Sequence, residues 1–208
     1  MGGQKFVKKQ STQIEYMKNL IIVSGPCGVG KSTVLNILWK RYFSINTTYK
    51  NSAGANLDPT SLKSKADYTK NWFDEAIKFN TSSQSIAISD RSPFDSIAYL
   101  QESVKMFRNS VESNFRKLNK AGVMCHSILL IAEIEVLQNR IKNRYKKGGR
   151  NESIYKSEMK NLRSSFNFYQ ENLISFDFIL DNSELSIDET VREIDNYLDR
   201  INTTANNI

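Results

Sequence analysis

Apolar residues along this chain gather in short, mostly apolar runs, and each run precedes a longer stretch in which apolar positions recur every three or four residues. The runs fall at residues 20–24, 86–90, 127–132 and 176–180, and the helical patterns that follow them at 32–42, 97–107, 134–145 and 187–201. A run without in-out alternation suits a strand buried on both faces, so these pairs predict a parallel sheet covered by helices. Residues 45–49 are a weaker candidate for a further strand. The expected fold class is therefore α/β, a three-layer α/β/α arrangement with a central parallel sheet of about five strands.

The polar stretches mark expected boundaries. Residues 1–19 are polar and lysine-rich and read as an N-terminal extension, with the main domain over residues 20–208. Residues 51–64 are rich in Asn, Ser, Gly and Pro, and residues 146–150 form a basic glycine-containing loop. Both are expected to be mobile pieces over the C-terminal edge of the sheet. A chain of 208 residues, 39% apolar and 25% charged, has the composition of one globular core rather than of a disordered chain.

No apolar run approaches the roughly 20 residues that a membrane helix needs, and Phe6 stands where a myristoylation signal requires Ser or Thr. A cytoplasmic address without membrane contact is expected. Cys27 lies in a loop that must stay open and Cys125 lies beside a buried strand, so no structural disulfide is expected. His126, the only histidine, has no partners in the sequence that would build a metal site or a catalytic triad. The net charge of +7 points to an anionic partner, which a phosphate site would itself explain. Nucleic acid is a secondary candidate, because no basic-aromatic stacking motif is present.

The strongest chemical signal is Gly25-Pro26-Cys27-Gly28-Val29-Gly30-Lys31-Ser32-Thr33, set between an apolar run and a helical pattern. That is the setting of a Walker A phosphate loop. Its glycines let backbone N–H groups turn inward on phosphate oxygens, and the helix that follows adds its positive end. Lys31 is expected to bridge the β and γ phosphates, Ser32 to offer its hydroxyl to Mg²⁺, and Thr33 to contact the α phosphate or cap the helix. Cys27 reads as a small loop residue.

A second cluster, Asp90-Arg91-Ser92-Pro93, ends another predicted strand, at the edge where ligands of open α/β sheets collect. Asp90 could hold Mg²⁺ or accept the proton of an attacking hydroxyl, and Arg91 could clamp a phosphoryl group. The same residues could also cap a helix, with Asp90 or Ser92 as cap and Pro93 in its first turn, and both roles can hold for different atoms. Further on, Arg140 and Arg144 share a helical face beside the loop carrying Lys146, Lys147 and Arg150. An arginine lid over about residues 144–152 would stabilise the charge of phosphoryl transfer and exclude water, Arg144 and Arg150 being the better candidates.

In this order, the phosphate loop, Asp90-Arg91-Ser92, Ser96-Ile97-Ala98-Tyr99-Leu100 and the arginine lid resemble the P-loop nucleoside monophosphate kinase superfamily, thymidylate and deoxynucleoside kinases above all. Arg150-Asn151-Glu152 is similar to the element after the lid of both families, and Leu180-Asp181-Asn182-Ser183 to the segment bordering the adenine of ATP. The resemblance implies Mg²⁺ and ATP as cofactors and transfer of the γ-phosphate to a nucleoside monophosphate or a deoxynucleoside. It departs after the second strand, where residues 47–56 supply no carboxylate, which favours a phosphate acceptor that needs no strong base. Kinases of another small molecule or of a polynucleotide 5′ end, and a non-catalytic ATP-binding module, are the alternatives. A homodimer is left open.

Overall fold

The computed structural model describes residues 18–47, 62–99, 104–149 and 151–205. Five strands, β1 (Lys18–Ser24), β2 (Phe43–Ile45), β3 (Ile86–Asp90), β4 (Val123–Ile131) and β5 (Phe178–Asp181), form one sheet in the order β2-β3-β1-β4-β5. Every pairing is parallel. The helices are α1 (Lys31–Leu38), α2 (Leu62–Asn80), α3 (Val104–Lys120), α4 (Ile134–Lys146), α5 (Glu152–Glu171) and α6 (Ile187–Ala205). Short 3₁₀ turns occupy Pro93–Tyr99 and Leu173–Ser175.

The three layers follow from the period of two along β1. Ile21 and Val23 face one core, where Val34, Leu35 and Leu38 of α1, Leu137 and Ile141 of α4, and Ile194 and Leu198 of α6 meet them. Leu20 and Ile22 face the other, against Trp72, Phe73, Ala76 and Phe79 of α2 and Leu118 of α3. Both faces of β1 are thus apolar, which is why its sequence shows no alternation. Helix α5 sends Leu162 into the first core, while its far end reaches the 3₁₀ turn at Pro93–Tyr99.

Several elements differ from the sequence expectation. β4 starts at Val123, earlier than the apolar run at 127, because its polar residues find partners: His126 Nε2 lies 3.1 Å from Asn19 Oδ1, and Ser127 N donates to Asp177 Oδ2 at 2.7 Å. β2 covers Phe43–Ile45 and pairs with Ala87–Ser89; of the strand expected at 45–49, Asn46 and Thr47 lie past its end and residues 48–49 lie outside the described residues. Of the helix expected at 97–107, residues 97–99 belong to the 3₁₀ turn at Pro93–Tyr99, residues 104–107 open α3, and residues 100–103 lie outside the described residues. Ser92 and Asp95 start that turn reciprocally: Ser92 N donates to Asp95 Oδ2 at 2.7 Å, and Phe94 N donates to Ser92 Oγ at 3.2 Å. Helix α2 is not among the expected elements, although Tyr68, Trp72, Ala76 and Phe79 repeat at helical spacing and are all buried. Among the described residues no helix is long and apolar enough to cross a membrane.

Leu35→Ala, at a site with 0% exposure beneath the phosphate loop, should lower unfolding free energy by about 2–5 kcal/mol in urea titrations. Ile77→Ala, on the exposed face of α2, should stay within about 0.5 kcal/mol of wild type. Equal effects at the two sites would contradict the layer assignment.

Candidate active site

The phosphate loop leaves the C-terminal end of β1 and turns directly into α1. Its conformation depends on close approaches that only glycine permits. At Gly25, φ is +146° and a Cβ would sit 2.4 Å from the carbonyl oxygen of Leu130 on β4. At Gly28, φ is +85° and a Cβ would meet Ile141 and the Leu137 carbonyl of α4 at 3.0 Å. The loop is therefore wedged between β4 and α4. No side chain caps the first turn of α1, and no acidic residue lies in it, so the positive end of the helix meets the loop without a negative group in that turn to offset it.

Lys31 is 8% exposed, and its Nζ donates to the carbonyls of Gly25 at 2.6 Å and Pro26 at 2.9 Å. Burial pulls its ammonium down from the usual 10.5 to about 7; the Arg91 charge acts in the same direction, while Asp90, Cys27 and Asp95 oppose it. The Cys27 thiol is held above its ordinary value, by burial first and then by Glu158, even though Lys31, Arg144 and Arg91 favour the thiolate. Cys27 is thus protonated at neutral pH, and both cysteines are free. Burial also raises Cys125, to about 12.

Lys31, Ser32 and Thr33 share a cavity of about 660 Å³ with Asp90, Arg91 and Arg144. Cys27, Gly28, Val29 and Gly30 line its floor, and Gly25 and Pro26 lie beneath as acceptors for Lys31. Asp90 ends β3 with its Oδ1 buried and without a hydrogen-bond partner. Arg91 follows at φ +66°, the only described non-glycine residue with positive φ. Its N–H donates to the Val23 carbonyl at 3.0 Å, and its own carbonyl accepts from Ser89 Oγ at 2.7 Å and from Trp72 Nε1 at 3.1 Å. Ser92 takes the capping role.

Across the cavity, Arg144 pairs with Glu158 of α5 at 3.0 Å, and its Nε is buried without a partner. Arg140 also lines the cavity, where it donates to Asn182 Oδ1 at 3.0 Å and to the Asn182 carbonyl at 2.7 Å, while Asn182 Nδ2 donates to the Val29 carbonyl at 2.8 Å. This chain of bonds braces the phosphate loop against the segment after β5. Arg150 and residues 48–61, which include most of the stretch considered for an acceptor base, lie outside the described residues. Glu158 and Trp72 were not marked by any motif, since each acts on a residue distant in sequence; the buried Asp95 joins a local contact with Ser92 to a distant one with Tyr169.

Between about pH 7 and 10.5 the folded protein binds fewer protons at Lys31 than the unfolded chain does, so this residue makes stability rise with pH in that window. Lys31→Met lacks this contribution. Its stability relative to wild type should therefore be highest near pH 7 and fall toward pH 10, by up to about 4 kcal/mol in denaturant titrations. A difference independent of pH would show that Lys31 titrates normally.

Among solved structures, the chain is similar to the YorR protein from Bacillus subtilis in complex with phosphorylated GDP, at 20% identity and TM-score 0.54 over 86% of this chain and 95% of that one. Shikimate kinase from Bacteroides thetaiotaomicron matches at 14% identity and TM-score 0.51 over 88% and 99% of the two chains. Shikimate kinase from Acinetobacter baumannii, in complex with shikimate, matches at 14% and 0.51 over 88% and 94%. No protein-family model and no curated protein matches the sequence. The likeness is one of fold: the parallel sheet, the phosphate loop and the flanking helices make up the three-layer α/β/α P-loop kinase fold.

Proposed function

We propose that this cavity is the active site of a phosphotransferase that moves the γ-phosphoryl group of Mg²⁺-bound ATP to a small acceptor. The observation that carries the reading is the convergence of Lys31, Asp90, Arg91 and Arg144 on one cleft, together with two buried orphan atoms of opposite sense, the acceptor Asp90 Oδ1 and the donor Arg144 Nε. A cation beside a polyphosphate would satisfy both. Among the described residues no cluster of three His, Cys, Asp or Glu side chains could hold a metal ion. Ser32 and Asp90 would thus hold Mg²⁺ together with phosphate oxygens and water, the mode that this ion prefers. Magnesium held there would supply charge neutralisation to the polyphosphate.

The chain's own groups supply the rest. Lys31 exchanges the carbonyls of Gly25 and Pro26 for phosphate oxygens, and the N-terminal N–H groups of α1 hold the polyphosphate. Arg91 and Arg144 meet the negative charge that develops as the bond from the γ-phosphorus to the bridging oxygen breaks and the bond to the acceptor oxygen forms. The electron pair of the broken bond leaves with the β-phosphate. Arg144 would act as the lid that keeps water away from the reacting phosphorus, with Arg150, expected there from the sequence, as its second arginine.

For the acceptor, a nucleoside monophosphate fits best, with a deoxynucleoside next. A phosphate oxygen attacks without a strong base, and Asn46 and Thr47, which follow β2, carry no carboxylate. The complex of the YorR protein with phosphorylated GDP supports a nucleotide. The shikimate kinases support the wider reading of a small hydroxyl acceptor, to be tested beside it.

ADP release from Mg·ATP, measured against nucleosides, monophosphates, hydroxy acids and oligonucleotide ends, should be stimulated by monophosphates. Lys31→Met should reduce that rate by about 10²–10³-fold or more. Wild-type rates in the folded variant would remove Lys31 from the mechanism. Because the Lys31 ammonium titrates near 7 in the free protein and polyphosphate favours its charged form, nucleotide binding should take up protons above that pH and weaken as pH rises toward 10.5. Calorimetry in buffers of different ionisation enthalpy should show this uptake in wild type and not in Lys31→Met.

A further inference from the structure

Arg91 adopts a backbone conformation that a non-glycine residue holds only when its surroundings enforce it. Part of the enforcement is local, through Val23, Ser89 and Trp72. The remainder comes through the turn that follows. Ser92 is 4% exposed and gives both its N–H, at 2.7 Å, and its hydroxyl, at 3.2 Å, to Asp95 Oδ2. The other oxygen of that carboxylate, Oδ1, accepts the Tyr169 hydroxyl at 2.7 Å. Asp95 is 5% exposed and Tyr169 1% exposed, so the bridge is shielded from water.

Tyr169 lies near the C-terminal end of α5, and Glu158, which holds Arg144, lies on the same helix. Eleven residues separate them, about 16 Å along a straight helix. One helix is therefore tied at one place to an arginine of the lid region and at another to the turn carrying Arg91, and both arginines line the same cavity.

We infer that Asp95 and Tyr169 are positioning residues that hold Arg91 in register with the helix following the lid. They touch no reacting group. The bridge joins two segments 74 residues apart in sequence and passes from α5 through the Asp95 carboxylate to the Ser92 backbone, next to Arg91. A shift of α5 that repositions Arg144 is thereby conveyed to Arg91, so the two charges that face the phosphoryl group move as a set. The role rests on the phosphotransferase reading for its kinetic consequence, whereas the mechanical link is independent of it.

The test uses the full chain and Tyr169→Phe, which removes one oxygen and keeps the ring. Hydrogen exchange should accelerate by about tenfold or more in the peptide spanning residues 89–96, where the amides of Arg91, Ser92, Phe94 and Asp95 are bonded, and stay unchanged in peptides from β1 and β4. In the transfer assay kcat should fall about tenfold or more with the KM for ATP unchanged. Asp95→Asn, which keeps the shape and removes the charge, should show the same pattern and serves if Tyr169→Phe folds poorly. Exchange at 89–96 within about twofold of wild type overturns the inference, as does equal acceleration in β1 or an unchanged kcat in a variant with loosened exchange. A wild-type protein that transfers phosphate to no acceptor would sink the phosphotransferase reading, and the exchange comparison would still decide whether the bridge holds Arg91.

Discussion

Strand β1 is paired along both edges and covered on both faces, and the rest of the molecule is arranged around it. Its position fixes where the phosphate loop begins. The Val23 carbonyl receives the Arg91 amide, and Gly25 lies against the Leu130 carbonyl with no room for a side chain. Because all the pairings are parallel, the loops after β1, β3 and β5 emerge on the same edge. Groups as distant in sequence as Lys31, Asp90 and Asn182 come together there.

The assembled cavity is electrostatically unfinished. Lys31 is buried and held by carbonyls alone, at the cost of a lowered ammonium pKa. Asp90 and Arg144 each keep a buried polar atom without a partner. Such arrangements oppose stability and persist where a ligand completes them. Glu158 occupies Arg144 in the meantime, and Arg140 is committed to the Asn182 segment. Two arginines at helical spacing on one helix thus line the same cavity with different partners, Arg144 on a carboxylate of α5 and Arg140 on the segment after β5.

The phosphate loop could be read from the sequence because its determinants are local: glycines, a lysine and a hydroxyl between a strand and a helix. The central strands were equally legible as apolar runs. The start of β4 was not, since Met124, His126 and Ser127 are accommodated by exposure and by partners on other segments. The aromatic period of α2 is present in the sequence, but the polar stretch before it gives no hint that Trp72 will brace Arg91. Contacts such as Asn182 with Val29, across 153 residues, and Tyr169 with Asp95, across 74, depend on the chain's return to the same edge, which no spacing rule reveals. The left-handed conformation of Arg91 was invisible for the same reason.

The claim that joins these observations is that the cavity passes a phosphoryl group to an acceptor and not to water. Phosphorus NMR of Mg·ATP with a nucleoside monophosphate follows the γ-phosphorus itself. The account predicts that this signal moves into a new phosphoryl product with little inorganic phosphate. Release of inorganic phosphate alone, or ATP left intact with every acceptor class, would contradict it.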